Sequence, residues 1–263
     1  MNIIVIPVYK ETLDVDEYKS LCQCLKVLYK HHICLIGPKD LDYSIYKKVF
    51  SEYGIKLHIE TFDSDFFKGV AGYNRLMLSR HFYERFASYK YMLIYQLDAY
   101  VFRDELDYWC DKEYDYIGAP WMKLNHKLDE KNAGNGGFSL RKISSFISLF
   151  SHKGKLLTFK GLCCLYRYRG PLHKPVCVLS GMLGKNNHLE DFLNGQINED
   201  LLYVTLKYKK GEKFKIPNSW EAMFFSFEES PSLLFDKTGH KLPFGCHAWR
   251  KWEYEQFWKK YIY

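Results

Sequence analysis

Ile3-Ile4-Val5-Ile6-Pro7-Val8, at residues 3–8, is a continuous run of apolar and mostly β-branched residues. Such a run is typical of a strand that is buried on both faces of a sheet. Two further apolar runs follow, at residues 33–36 and 91–95, and a third strand is predicted between them at residues 55–59. The segments between them carry apolar residues at helical spacing, at residues 21–28, 43–53 and 73–86. This alternation predicts an α/β fold, with a Rossmann-like, mostly parallel central sheet and helices on both of its faces.

The second half of the chain is less regular. Short strands with glycine-rich turns are predicted at residues 115–121 and 132–140. Helices are predicted from residue 141 onward and at residues 198–208. Residues 151–188 are rich in Gly, Lys and Cys and suit a mobile loop over the site. Because the chain shows no Pro/Ser linker and no internal repeat, we expect a single domain over residues 1–263.

Composition and charge narrow the classes of protein to which this chain can belong. Hydrophobic residues make up 47% of the 263, which is enough for a sizeable core, and aromatic residues make up 18%. Aromatic faces serve either a core or contact with sugar rings. The formal net charge of +7 favours phosphate-bearing substrates, an anionic membrane surface or nucleic acid. The Lys and Arg residues are scattered, without zinc-finger spacing or an RNA-binding signature, so we expect no nucleic acid partner.

The spacing of the cysteines and the hydropathy of the chain indicate the cellular compartment in which the protein is expected. None of the eight cysteines forms a CxxC pair, so neither a metal site nor a disulfide framework is indicated. The chain opens directly into the strand-like run, and it contains no stretch of about 18 apolar residues. We therefore expect a cytoplasmic protein with free thiols.

Three motifs carry residues that suit chemistry. Asp98 ends the fourth predicted strand, where a carboxylate can either cap the next turn or hold a hard cation beside phosphates. The stretch Gly134-Asn135-Gly136-Gly137 allows a ligand to approach the backbone closely. Asn198-Glu199-Asp200 begins a predicted helix, where its carboxylates either cap the helix or supply a general base and a hydroxyl-binding partner.

The ordered motifs resemble those of an uncharacterised bacterial family of glycosyltransferase-like domains. The resemblance rests on residues 96–99 (QLDA), 115–121 (DYIGAPW), 134–141 (GNGGFSLR), 198–200 (NED) and 245–249 (GCHAW). The layout is also similar to metal-dependent GT-A glycosyltransferases, including the β-1,4-galactosyltransferase and fringe-like families. A GT-A-like fold and a divalent metal, Mn²⁺ or Mg²⁺, are what this resemblance implies.

The resemblance also implies roles for single residues. Asp98 matches the metal-binding Asp of a DxD motif, and His247 matches a late metal ligand, although a lone His is often structural. Gln96 stands where the first Asp of DxD is expected, and it can still hydrogen-bond a donor hydroxyl. Gly136 and Gly137 match the turn beside the donor sugar and the acceptor.

The remaining roles concern catalysis and the nucleotide. Asp200 matches the catalytic base of a Glu-Asp pair, with Glu199 beside it. Further candidates for donor binding are Asn135 in the glycine-rich turn, Pro7, Tyr9 and Glu11 around the end of the first strand, and Asn74 and Arg75 at a helix start. Helix entry and surface charge account for Asn74 and Arg75 equally well.

These expectations predict a glycosyltransferase that moves a sugar from a nucleoside diphosphate donor, a UDP-sugar by preference, to a hydroxyl of a glycan or lipid-linked acceptor. A single displacement, with inversion, in surface polysaccharide assembly is the simplest version, and retention stays open. A nucleotidyltransferase is the alternative enzyme, although residues 7–16 contain no Gly. A non-catalytic sugar-binding module and a glycosidase with two carboxylates across the sugar are the others.

Residues 249–263 interleave aromatic side chains with Arg and Lys. Such a segment suits peripheral contact with anionic lipid at the inner face of a membrane, near a lipid-linked acceptor. The alternative is that the aromatic residues only attach the last segment to the domain.

Overall fold

The computed structural model describes residues 1–123, 127–167, 169–193, 198–211 and 214–262. Its strands are β1 (Asn2–Pro7), β2 (His32–Pro38), β3 (His58–Phe62), β4 (Tyr91–Tyr95), β5 (Tyr100–Val101), β6 (Tyr116–Ile117), β7 (Pro120–Met122), β8 (Leu128–Ala133), β9 (Phe138–Lys142), β10 (Ser226–Phe227) and β11 (Gly245–Cys246). Its helices are α1 (Val15–Val27), α2 (Ser44–Glu52), α3 (Gly69–Met77), α4 (Arg80–Glu84), α5 (Leu106–Asp111), α6 (Ile143–Leu149), α7 (Phe159–Leu165), α8 (His173–Met182), α9 (Leu189–Leu193), α10 (Glu199–Thr205), α11 (Ser219–Phe225) and α12 (Pro231–Lys237).

The central sheet has the strand order β3-β2-β1-β4-β9-β6. Its first four strands are parallel, and β9 runs antiparallel to both β4 and β6. Because β9 is reversed, its beginning lies at the edge where β1 and β4 end, and Phe138 pairs with Tyr95. The chain before β9 therefore meets the chain after β4 at one edge of the sheet.

Helices cover both faces of this sheet, as the sequence predicts. Alternate residues of each strand point to opposite faces, so Ile4 packs with α1 and α2 whereas Val5 packs with α3, α4 and α6. Strand β1 is buried throughout except at its first residue. The predicted α/β architecture, a mostly parallel sheet with helices on both faces, is confirmed.

A small sheet of order β10-β11-β5 attaches the carboxyl-terminal segment to the domain. Cys246 pairs with Tyr100, which places the next residue, His247, beside the chain that follows β4. Three aromatic side chains of this segment are buried: Trp249, Phe257 and Trp258 pack together with other buried residues in an apolar cluster. The packing alternative for residues 249–262 thus accounts for these three rings.

Three local predictions need correction. The helix expected over residues 73–86 is two helices, α3 and α4, because Ser79 between them is extended (φ −99°, ψ 127°). The third strand begins at His58 rather than at residue 55. Residues 151–188, expected as a loop over the site, form α7 and α8 within the described part of the chain.

None of the described helices combines the length and the apolar character needed to cross a bilayer. All eight cysteines are free thiols. Burial raises the pKa of the Cys34 thiol to about 12, which makes that residue a small core side chain and not a nucleophile.

Candidate active site

A cleft of about 660 Å³ opens at the edge of the sheet where β1 and β4 end. Three loops supply its floor: the residues after β1, residues 96–98 after β4, and residues 135–137 before β9. The beginning of α10 and the segment after β11 form its walls. Ligands of open α/β sheets bind at this edge, because the loops and helix ends there present unpaired polar groups.

His247 is held between two carboxylates at one side of the cleft. Its Nε2 lies 3.1 Å from Asp98 Oδ1, and its Nδ1 lies 2.8 Å from Glu228 Oε2. Gln96 Oε1 is 3.2 Å from the same Nε2. The His247 and Glu228 side chains are nearly enclosed, at 13% and 9% exposed, whereas Asp98 is 56% exposed and faces the cleft.

The carboxylates of Asp98 and Glu228 stabilise the charged form of His247, and His247 in turn stabilises the charged form of Asp98. Burial disfavours a charged imidazole, but the carboxylates of Glu228 and Asp98 outweigh it and hold the pKa of His247 well above its ordinary value. The protein around the cleft also disfavours an ionised Asp98, but the neighbouring His247 outweighs this and lowers the pKa of that carboxyl below its usual value. In the free protein we therefore expect a charged His247 beside an ionised Asp98.

Gly137 lies directly against the His247 ring. A Cβ at this position would stand 1.9 Å from His247 Nε2, far inside contact distance. The backbone of Gly137 also accepts a hydrogen bond of 2.9 Å from Gln96 N, so it cannot withdraw freely. Only glycine leaves room for the ring, which explains in steric terms why the second residue of the Gly136-Gly137 pair is glycine.

Glu199 and Asp200 occupy the opposite wall, at the beginning of α10. Burial and the adjacent Glu199 raise the pKa of Asp200 to about 7. Burial also raises the pKa of Glu199, and the buried guanidinium of Arg141 opposes that rise. A Cβ at Gly136 would lie 2.7 Å from Glu199 Oε1, so the first glycine of the pair makes room for this carboxyl.

Arg141 lies beneath these carboxylates and is fully buried. Its Nη1 donates to Tyr83 Oη at 2.9 Å and its Nε to Ser139 Oγ at 3.2 Å. Its Nη2 has no hydrogen-bond partner within the described residues and lies 4.0 Å from Glu199 Oε1. A buried cation aimed at a buried carboxylate fixes Glu199 in place and leaves the neighbouring Asp200 to face the cleft.

The cleft contains more carboxylates than cations. The described residues that line it include six carboxylates, namely Asp14, Asp16, Glu17, Asp98, Glu199 and Asp200. Its lysine and arginine, Lys10 and Arg250, are each already paired: Lys10 Nζ lies 2.6 Å from Glu17 Oε1, and Arg250 binds Asp16 through two hydrogen bonds of 2.6 and 2.7 Å. A diphosphate entering such a cleft needs an additional cation to balance its charge.

Asp98 and His247 could hold a divalent cation if the cation displaced the proton of His247 Nε2, because a metal-binding imidazole must be neutral. Two ligands at adjacent corners of an octahedron with bonds of about 2.1 Å lie ~3.0 Å apart, close to the 3.1 Å between Asp98 Oδ1 and His247 Nε2. Glu228 accepts the proton of Nδ1, the arrangement that usually orients a metal-binding imidazole. Among the described residues there is no cluster of three or more His, Cys, Asp or Glu side chains that could hold a metal, so most coordination positions would be left to phosphate oxygens and water.

The structure brings most of the predicted site residues together. Those that line the cleft are Pro7, Tyr9, Asn74, Gln96, Asp98, Asn135, Gly136, Gly137, Glu199, Asp200 and His247. Two others do not line it. Glu11 is exposed beyond the loop after β1, and Arg75 is exposed on α3, where its Nη2 donates to Asp65 O at 3.1 Å.

Sequence reasoning missed Glu228, the buried Arg141 and the Asp16–Arg250 pair at the rim. Glu228 comes directly after β10, a two-residue strand that no sequence pattern reveals. Arg141 stands in a quoted motif, but nothing in the motif shows that it is buried. Asp16 and Arg250 are 234 positions apart, so only the folded chain brings them together.

Gly137→Ala is expected to destabilise the fold by about 1–3 kcal/mol, the usual cost of forcing a methyl group into a filled space. The new methyl must displace the His247 ring, which two carboxylates hold. Denaturant unfolding measures the effect. Gly170→Ala is the matched control, because a Cβ there meets nothing within 4 Å. Equal stabilities of the two variants would contradict the packing described for Gly137.

Comparisons with known proteins add a family and a set of distant structures. A family model described as "Protein of unknown function (DUF5672)" matches residues 56–247. A search of curated proteins found no match. Among solved structures, core-mannan synthase A from Aspergillus fumigatus in its Mn/GDP form is 9% identical, with 82% of this chain and 71% of that chain covered and a TM-score of 0.49.

Two further structures have similar values. An active-site mutant of LgtC is 16% identical, with 93% of this chain and 86% of that chain covered and a TM-score of 0.49. The apo form of the glycosyltransferase GlyE from Streptococcus pneumoniae is 11% identical, with 94% and 54% covered and a TM-score of 0.48. Likeness at this level concerns the path of the chain and says nothing about individual residues of the cleft.

Proposed function

Because the chain belongs to the DUF5672 family, whose description assigns no function, we propose an activity from the cleft itself: transfer of a sugar from a nucleoside diphosphate sugar to an acceptor hydroxyl. One observation carries this proposal. A candidate cation site, Asp98 with His247, and a carboxyl with a pKa of about 7, Asp200, line the same cleft at the carboxyl edge of a parallel sheet. A transferase of this kind needs a site for the diphosphate and a base for the acceptor.

The donor diphosphate would bind beside Asp98 and His247. A bound Mn²⁺ or Mg²⁺ would supply positive charge for the diphosphate as it departs. The protein's part is to hold that charge in place: Glu228 orients the His247 ring, and Gly137 gives the ring its space. Pro7 at the end of β1, Tyr9 after it and Asn74 on α3 line the part of the cleft proposed for the nucleoside.

Asp200 would accept the proton of the attacking hydroxyl. A carboxyl of ordinary pKa is a weak base near pH 7, whereas one with a pKa of about 7 is both available and basic enough. Glu199 is held towards Arg141 and keeps the pKa of Asp200 high through its charge. Gly136 and Asn135 border this wall and leave room for the donor sugar.

The finer parts of the proposal rest on the sequence motifs and on the role proposed for Asp200. Attack by a hydroxyl activated at Asp200 on the far side from the diphosphate gives inversion. A UDP-sugar is the proposed donor, and a glycan or lipid-linked oligosaccharide in surface polysaccharide assembly is the proposed acceptor. Glu11 and Arg75 remain proposed donor contacts, although they would have to reach the donor from outside the cleft lining.

A donor screen tests the proposal. Purified protein is incubated with a panel of nucleotide sugars and Mn²⁺ or Mg²⁺, and released nucleoside diphosphate is detected. We expect release with at least one donor, metal-dependent and absent in the Asp200→Asn variant on the time scale of the assay. Release of a sugar from a glycan without any nucleotide would indicate a glycosidase. Donor binding without turnover in the presence of acceptors would indicate a binding module.

Glu199→Gln is expected to move the rise of rate with pH to lower pH by about one unit, because one negative charge beside Asp200 is removed. The base acts unprotonated, so in the wild type the rate rises with pH through about 7. In the variant the pKa of Asp200 falls and the rise begins earlier. The pH profile of nucleoside diphosphate release measures this shift.

Glu190→Gln, on the exposed side of α9, is the matched control and should leave the profile in place. A Glu199→Gln profile identical to that of the wild type would contradict the coupling between Glu199 and Asp200.

A further inference from the structure

The outer face of α8 carries an exposed row of large apolar side chains. Leu172, Val176, Leu179 and Leu183 follow one another at intervals of four, three and four residues, so they lie on one side of the helix and its cap residues. They are 82%, 66%, 62% and 71% exposed. An apolar row of this kind normally faces the core of a protein, and this one is uncovered in the described part of the chain.

The opposite face of α8 is already packed. Val178 and Gly181 are buried, and a Cβ at Gly181 would lie 2.7 Å from Leu162 Cδ2 on α7. The helix is therefore attached to the domain by its inner face. The exposed row is a second apolar face, and it is available for a partner.

The excess of basic residues lies in the segment of sequence that contains this helix. Residues 151–188 contain seven Lys and Arg residues and no Asp or Glu. Their excess equals the formal net charge of the whole chain, +7, so the rest of the chain is balanced. Lys153, Lys160 and Lys185 are exposed, and Lys155 Nζ donates to Met182 O at 2.6 Å, at the end of α8.

We propose that α8 docks onto an anionic lipid bilayer, with its apolar row in the interface and the lysines of residues 151–188 at the level of the headgroups. An apolar helix face flanked by basic residues is the arrangement that binds such surfaces. A second copy of the chain is disfavoured, because a self-complementary contact would bring two equally basic surfaces together. Nucleic acid would use the charges but not the apolar row.

This surface differs from the one that the sequence suggested. The carboxyl-terminal segment also mixes aromatic and basic residues, but Trp249 and Trp258 are fully buried and Phe257 is 5% exposed. Rings that fill the core are not available to a bilayer. The row on α8 leaves its side chains outside.

Vesicle flotation tests this docking without any donor, metal or turnover, so its outcome is independent of the proposed transferase activity. The probes are vesicles of phosphatidylcholine alone and of phosphatidylcholine with about one phosphatidylglycerol in four. We expect the wild type to float with the anionic vesicles only and to be released as salt rises. Combining Val176→Gln with Leu179→Gln should lower the partition coefficient at least ~10-fold, because two apolar contacts with the interface are lost.

Matched variants distinguish an effect of the apolar row on α8 from the effect of changing any exposed apolar or basic residue. Val15→Gln removes an equally exposed valine elsewhere and should leave binding unchanged. Combining Lys153→Gln with Lys185→Gln should weaken binding about 10-fold. Combining Lys259→Gln with Lys260→Gln, in the carboxyl-terminal segment, should have little effect.

Three results would overturn the proposal. The first is a folded wild type that does not float with anionic vesicles at low salt. The second is unchanged flotation of the Val176→Gln, Leu179→Gln double variant. The third is a wild-type dimer in light scattering that this double variant converts to a monomer without any vesicle binding, which would make the row a contact between copies. Circular dichroism establishes that each variant is folded.

Discussion

Asp200→Asn is expected to lose roughly 10²–10⁴-fold in turnover while it retains donor binding, the usual span for removal of an acid–base group. Asn keeps the size of the side chain and an oxygen that can accept from Leu201 N, as Asp200 Oδ1 does at 2.6 Å. What it loses is the ability to take a proton. Turnover is measured as release of nucleoside diphosphate with acceptor present, and donor binding by calorimetry.

A stability measurement supports the assignment without any activity assay. The pKa of Asp200 is raised from 3.8 to about 7 in the fold, so ionising this group costs folding free energy. Wild-type stability should therefore fall as pH rises from about 4 towards 7, and the Asn variant should lack that part of the fall. Its stability relative to the wild type should grow over the same range.

Asp111→Asn, an identical change on an exposed helix end, is the control and should alter neither turnover nor the pH dependence of stability. Near-normal turnover in Asp200→Asn would contradict the assignment and would point to Glu199 as the base or to a retaining mechanism. Loss of donor binding together with turnover would mean that Asp200 contacts the donor instead.

Asp98→Ala is expected to abolish Mn²⁺-dependent binding of the donor while the protein stays folded. Asp98 provides the exposed carboxylate of the candidate cation site, and among the described residues it is the carboxylate that pairs with His247 Nε2, whereas Glu228 pairs with Nδ1. Without the cation, the remaining carboxylates of the cleft would repel a diphosphate. Calorimetry of Mn²⁺ and of the nucleoside diphosphate, alone and together, measures the loss.

Two variants define this site further. Glu228→Gln should weaken Mn²⁺ binding ~10–100-fold, because Glu228 orients the imidazole without touching the cation. Asp236→Ala removes an exposed carboxylate that pairs with His240 at 3.3 Å, and this matched His–Asp pair outside the cleft should leave Mn²⁺ binding intact. Donor and Mn²⁺ binding in Asp98→Ala equal to the wild type would show that the cation site lies elsewhere.

Most of the sheet and much of the site could be predicted from local patterns. The apolar runs at β1, β2 and β4 give strands because residues buried on both faces leave a continuous signal. No such signal marks the break between α3 and α4 or the two-residue strands β10 and β11. Elements this short contain too few residues to show a hydrophobic periodicity. A surface for membrane contact was expected at residues 249–263, since composition alone does not show which aromatic rings fill the core.

The sequence by itself determined the α/β alternation, the strand-end position of Asp98 and the motifs that contain Gly136, Gly137 and Asp200. These features are local, and each depends on residues within a few positions of one another. Only the tertiary structure decided that Glu228 and His247 meet Asp98, that Arg141 lies buried beneath Glu199, and that the pKa of Asp200 is about 7. The physical reason is that burial and charge act between neighbours in space, and residues such as Asp98 and His247 become neighbours only when a reversed strand and a short second sheet bring distant segments to one edge.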